Sequence, residues 1–129
     1  MIDIGWEEYH LDVKKLSEKI VPNKYLYLYG IPRGGLVPAV MLSHILEIPF
    51  ISRVVFPDKS VLVVDDIAHS GSTLERYRVM DTATVYLRES CNIQPTFYGD
   101  IIQDDIWRVF PYEIASRELK CSEVDRLSK

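Results

Sequence analysis

Residues 61–74, VLVVDDIAHSGSTL, constrain the fold more than any other part of the chain. Val61 to Val64 is an unbroken apolar run, the pattern of a strand covered on both faces inside a parallel sheet. Two adjacent carboxylates, Asp65 and Asp66, follow at once. Ser70, Ser72 and Thr73 then surround Gly71, a residue that permits a sharp turn. A helix is expected from about Ser72 to Val79. A buried strand that ends in charge and turns through glycine into a helix is half of a strand–helix–strand unit, so the stretch points to an α/β fold.

The rest of the chain continues that alternation. Trp6, Tyr9 or His10, Val13, Leu16 and Ile20 recur at helical spacing, with Glu7, Glu8, Lys14, Lys15 and Glu18 between them, which predicts a helix over 6–20 stopped by Pro22. Tyr25 to Tyr29 reads as a strand ended by Gly30. Leu36 to Leu46 reads as a helix with Pro38 in its first turn. Strands are expected at Phe50–Phe56, Ala83–Leu87, Thr96–Tyr98 and Trp107–Phe110. The charged tail from Glu113 to Lys129 fits a solvated helix or partial disorder. No repeat or low-complexity segment interrupts the series.

At 129 residues the chain suits one domain with one core. A net charge of −4 argues against a broad nucleic-acid surface but leaves small anions open, since backbone amides bind phosphate on an acidic protein. The two cysteines, Cys91 and Cys121, form no CxxC pair, which speaks against zinc and for thiols in a reducing cytosol. The opening MIDIGWEEYH has no signal-peptide pattern, and no apolar run is long enough to span a bilayer. A cytoplasmic protein is expected, without membrane or nucleic-acid partners.

In a parallel sheet, ligands sit where strands end at their carboxyl side. Two loops reach that edge. The loop after Asp66 offers hydroxyl donors and outward amides at a helix start, a cradle for phosphate. Asp65 and Asp66 would repel a bare phosphate, so they call for another partner: a ribose diol or a magnesium ion. The loop after Tyr29, IPRGGLVP, sets Arg33 beside Gly34 and Gly35, a forked donor next to backbone that an anion can approach closely. Each part alone has a plainer reading, as turn chemistry, helix capping or a surface arginine. A receiver domain also pairs acids after such a strand, but near its beginning, whereas two strand–helix units precede the pair here.

VLVVDDIAHSGSTL resembles the phosphoribosyl pyrophosphate signature of the type I phosphoribosyltransferases, and GIPRGGLVPAVML resembles their pyrophosphate loop. WEEYHLDVKKLSEKI and GDIIQDDIWRVFPYE resemble the first helix and the carboxyl-terminal segment of the bacterial and archaeal xanthine-guanine and hypoxanthine (6-oxopurine) enzymes. The likeness runs over about residues 6 to 113. It implies a Rossmann-like, mostly parallel sheet flanked by helices, with a small C-terminal hood at about 88–113 and a tail at 114–129. It implies transfer of a phosphoribosyl group to a purine-like base, with pyrophosphate released, Mg2+ as cofactor and a homo-oligomer as the working form. A non-catalytic sensor of phosphoribosyl pyrophosphate or a nucleotide is the alternative.

The same resemblance implies residue roles. Asp65 and Asp66 hold the ribose hydroxyls and help order Mg2+. Ala68, His69, Ser70, Gly71, Ser72 and Thr73 wrap the 5′-phosphate. Arg33, Gly34 and Gly35 meet the pyrophosphate, with a cis peptide bond at Pro32–Arg33. Trp107 stacks on the base and backbone near Arg108 reads its edge, unless Trp107 is a plain core or edge tryptophan. Three positions depart from the family pattern. His69 stands where an aspartate usually accepts a proton; it is a general base or a loop histidine. Arg88 stands where a lysine meets the purine oxygen; it contacts the base or pairs as a surface arginine. Only Phe56-Pro-Asp-Lys-Ser60 separates two apolar runs where the family has a long covering loop, so Phe50–Phe56 is expected to pair antiparallel with its neighbour.

Overall fold

The computed structural model describes residues 1–21, 23–55, 57–114 and 117–119. Two compact units are formed: Met1–Leu11 with Asp105–Lys129, and Asp12–Asp104. Residues 88–104 of the expected hood therefore belong to the larger unit and 105–113 to the smaller, which also takes the start of the chain.

The elements of the smaller unit are few. Strand β1 (Ile2–Asp3) pairs in parallel with a late strand, Arg108–Val109. Helix α1 (Trp6–Lys19) begins in this unit, with Glu7 and Glu8 in its first turn and Lys19 in its last, each charge opposing the helix dipole. Trp6 and Tyr9 pack with Tyr112, and Tyr9 also with Phe110, in edge-on and tilted ring contacts. Tyr9, Val13, Leu16 and Ile20 are all buried, so the helical stripe read from spacing is the covered one.

The larger unit is built on a five-stranded sheet in which every pairing is parallel. After β2 (Tyr27–Gly30) comes α2 (Leu36–Leu46), then β3 (Phe50–Ile51), β4 (Val61–Ala68), α3 (Ser72–Glu75), β5 (Asp81–Arg88) and β6 (Phe97–Ile102). The late strand Arg108–Val109 is β7. The strand order β3-β2-β4-β5-β6 places β4 at the centre. There Val61 to Val64 are fully buried, as an apolar run between two neighbours requires. Ile31, Val61, Val63, Tyr77 and Met80 form one buried cluster, against which Tyr29, Ile51 and Val54 pack.

Several boundaries differ from the sequence expectation. The strand expected at Phe50–Phe56 is not antiparallel, and its described residues, 50–55, do not form one continuous strand. Only Phe50 and Ile51 pair, in parallel with Leu28 and Tyr29 across β2. Because β3 and β4 flank β2 rather than touch, the link 52–60 is not a crossover between adjacent strands. Nine residues reach about 30 Å when extended, ample to return along strands this short. Strand β4 runs four residues past Val64, so Asp65 and Asp66 are strand residues. Helix α3 stops at Glu75, short of Val79. Beyond it Arg76, Tyr77 and Met80 donate backbone bonds to carbonyls three residues back, a tighter winding than an α-helix. Pro22, Phe56 and most of the tail lie outside the described residues.

Candidate active site at the carboxyl end of the central strand

The chain folds the two loops against each other at the end of β4. The Ile31 N–H donates to the Val64 carbonyl at 2.9 Å, extending β2 by one residue beside the acid pair. The Gly35 N–H closes the loop on the Ile31 carbonyl at 2.8 Å. Between them the Pro32–Arg33 peptide bond is cis, as expected. A Cβ on Gly34 would overlap Oδ2 of Asp66 and stand 2.8 Å from its Cγ, so only glycine lets the loop lie on that carboxylate. The exposed Arg33 is thereby held within one residue of the acid pair's neighbour.

The two acids differ. Asp65 Oδ1 accepts the Asp66 N–H at 2.9 Å, and Asp66 Oδ1 accepts the Ile67 N–H at 2.7 Å. Burial pushes the Asp65 carboxyl up to about 8; the Asp66 carboxylate beside it adds to the rise, and the bond from the Asp66 N–H opposes it. A group in that state gains when a cation or hydroxyl donors arrive to offset its charge.

Beyond Ala68 the chain makes a shallow depression of about 60 Å³, lined by Ile67, Ala68, His69, Ser70, Gly71, Thr73 and Leu74. Gly71 has φ 91°, a left-handed turn that side chains rarely adopt. The Ser70 and Ser72 hydroxyls lie 3.0 Å apart, and the Ser72 N–H points to Ser70 Oγ at 3.3 Å. His69 is exposed at the rim. The wall behind Gly71 is Ile93, whose Cβ would lie 3.1 Å from any Cβ placed on that glycine. Cys91, Ile93 and Tyr98 pack on the buried trio Ala68, Leu74 and Leu87, which fixes the floor of the depression.

No family model matches the chain. The xanthine-guanine phosphoribosyltransferase of Nitratidesulfovibrio vulgaris is 29% identical over 136 residues, covering 85% of this chain and 83% of the relative. The crystal structure of a purine phosphoribosyltransferase from Pyrococcus horikoshii superposes with a TM-score of 0.73 at 27% identity, over 87% of this chain and 93% of that one. The chain is similar to type I phosphoribosyltransferases over most of its length. The xanthine-guanine-hypoxanthine phosphoribosyltransferase of Helicobacter pylori shares the fold, with a TM-score of 0.76 at 18% identity over 93% of this chain and 98% of that one.

Against that type I phosphoribosyltransferase frame, the residues expected at the base divide between the units. Arg88, at the end of β5 in the larger unit, is buried rather than a surface arginine, and its Nη1 donates to the Asp104 carbonyl at 2.5 Å. Trp107 and Arg108 belong to the smaller unit. Trp107 is no core tryptophan: it is 60% exposed, while its carbonyl accepts the Ile2 N–H at 2.9 Å. Arg108 is half-buried and donates to the Ile106 carbonyl at 2.8 Å. Sequence reasoning missed Ile93, the wall of the cradle, and Thr84, which lies in register with Asp65. Neither sits in a motif; only the packing of β5 and its following loop reveals them.

Proposed function

We propose that this protein transfers the phosphoribosyl group of phosphoribosyl pyrophosphate to a purine-like base, giving a nucleoside monophosphate and pyrophosphate. The observation that carries this is the seating of Gly34 on the Asp66 carboxylate. It brings the arginine–glycine loop and the paired acids to one strand end, ahead of the hydroxyl cradle. The likeness to a xanthine-guanine and a purine phosphoribosyltransferase supports a base of the 6-oxopurine kind.

Each residue has work suited to its surroundings. The cradle from Ala68 to Thr73 takes the 5′-phosphate through backbone amides and hydroxyls. Asp65 and Asp66 accept hydrogen bonds from the ribose diol. Arg33, with the amides of Gly34 and Gly35, meets the pyrophosphate, whose negative charge grows as its bond to the anomeric carbon breaks. A purine nitrogen forms the new bond to that carbon and gives up its proton, for which the exposed His69 imidazole is the acceptor. Trp107 stacks on the base, Arg108 backbone reads its edge, and Arg88 shapes the base side by holding the Asp104 carbonyl.

The acids also fit a metal. No third His, Cys, Asp or Glu joins Asp65 and Asp66 among the described residues. That donor set suits Mg2+, which is commonly held by one or two carboxylates while substrate oxygens and water complete its shell. Bound there, Mg2+ supplies charge neutralisation at the leaving pyrophosphate.

No helix of the described residues is long and apolar enough to cross a membrane. A cytoplasmic homo-oligomer is the working form in this reading. The outward Leu36, Val40 and Ile45 of α2 support the assembly, since a helix apolar all round is usually covered.

The test is a pyrophosphate-release assay with Mg2+ and phosphoribosyl pyrophosphate, supplemented in turn with guanine, xanthine, hypoxanthine and adenine. Base-dependent release with a preference for the 6-oxopurines is expected. Binding of the sugar phosphate without release by any base would replace the transferase reading with that of a sensor.

A further inference from the structure

We propose that Thr84 is a positioning residue of the sugar site, its hydroxyl serving as a hydrogen-bond donor to the Asp65 carboxylate when the ribose diol is bound. The inference rests on the phosphoribosyl reading above and extends it to a residue outside both loops.

Thr84 lies in the middle of β5 and is completely buried. Its Oγ1 has no hydrogen-bond partner among the described residues. Buried hydroxyls nearly always have one, so an orphan inside a well-packed sheet asks for a reason. Its neighbour in register on β4 is Asp65, and on β6 it is Tyr98. Paired strands lie about 4.8 Å apart and directly paired residues project from the same face. One step of the Thr84 χ1 between staggered wells therefore turns the hydroxyl toward the strand that carries Asp65.

The acid has need of such a donor. The Asp66 N–H occupies Oδ1 of Asp65, and no second donor reaches that carboxylate among the described residues. A carboxylate that must receive two ribose hydroxyls needs its plane fixed, and a second donor from the flanking strand does that. Valine would fill the same space on the pleated surface more simply and has the higher strand preference. The hydroxyl costs stability unless a ligand-bound state uses it.

Titration calorimetry on wild type, Thr84→Val, Thr84→Ala and Thr84→Ser decides the matter, with phosphoribosyl pyrophosphate, ribose 5-phosphate and inorganic phosphate as separate titrants. Loss of one hydrogen bond to a charged group corresponds to about a tenfold weaker affinity. Thr84→Val and Thr84→Ala are expected to weaken both ribose-containing ligands by about that factor, to leave inorganic phosphate unchanged, and Thr84→Ser to restore affinity. Thr84→Val is expected to melt at or above the wild-type temperature, since it removes an unsatisfied group. Equal affinity of wild type and Thr84→Val for ribose 5-phosphate overturns the proposal. So does a parallel loss for all three titrants, which marks a purely structural role. If wild type itself takes phosphate but neither ribose ligand, the phosphoribosyl reading has failed and this inference goes with it.

Discussion

The Asp66 carboxylate lies directly against the Cα of Gly34, with its Cγ 2.8 Å from where a Cβ would be. Gly34→Ala must therefore move either the carboxylate or the loop, and both carry the proposed site. Displacements of this size at a reacting centre cost about a hundredfold. We expect kcat/KM for phosphoribosyl pyrophosphate to fall by at least about that factor in Gly34→Ala, with the far-ultraviolet circular dichroism unchanged. Steady-state kinetics with the preferred base is the check; near-wild-type turnover would show that the contact between the loops is incidental.

Asp65 makes a distinct statement about pH. Its carboxyl is raised from the ordinary 3.8 to about 8, chiefly by burial. Between those values the folded chain holds a proton that the unfolded chain has released. Stability then falls as pH rises through that window and levels off above it. Asparagine cannot ionise, so Asp65→Asn loses this dependence. In thermal melts the variant should gain on wild type steadily from about pH 4 to about pH 8, while losing affinity for ribose 5-phosphate. A constant offset between the two curves across that range would contradict the assignment. The outcome would also mark Asp65 as a residue kept at the expense of the free protein's stability.

Much of this site was readable before any coordinates. The acid pair, the hydroxyl loop and the arginine–glycine loop are local strings, and local strings carry their own geometry: glycine where backbone must approach, small donors where an anion must fit. Helix α2 has the bounds its sequence predicts, because Pro38 at its start and Glu47 just past its end punctuate it. What escaped depends on pairing between distant segments. Strand β1 exists only because β7 accepts it, and two residues leave no periodicity to read. Phe50–Phe56 is largely apolar, yet among its described residues only Phe50 and Ile51 find a partner strand, and Val54 packs against the core instead. Thr84 looks like any strand threonine until the register sets it beside Asp65.

Trp107 tests the base side. A tryptophan 60% exposed just ahead of the short strand β7 is available for stacking, and stacking of a base on an aromatic ring is worth about 1–3 kcal/mol. Trp107→Ala should raise KM for the base by about 5- to 150-fold and leave KM for phosphoribosyl pyrophosphate within about twofold. Because the side chain is exposed, the melting temperature should move little. An equal rise in both KM values would assign Trp107 to the fold rather than to the base.

The last expectation concerns the opposite end of β5, away from the candidate site. The buried Tyr25 hydroxyl donates to Asp81 Oδ2 at 2.5 Å, and Lys24 Nζ lies 3.3 Å from the same oxygen. The Tyr25 bond, helped by Lys24, holds the Asp81 carboxyl below its ordinary value. A lowered carboxyl contributes stability that is present above its unfolded value and lost as pH falls through the folded one. Burial, reinforced by Asp81, raises the Tyr25 hydroxyl well above 10.0, so the folded chain keeps a proton the unfolded chain loses and stability falls as pH rises past about 10. Tyr25→Phe removes the phenol and its bond together. It should lower stability by about 1 kcal/mol near neutral pH. Its deficit should shrink both at acid pH and above about pH 10, where wild type loses the same contribution. Denaturant melts across that range provide the measurement; the absence of any deficit from acid to alkali would show that Tyr25 acts through packing against Phe97 alone, since phenylalanine keeps that ring contact.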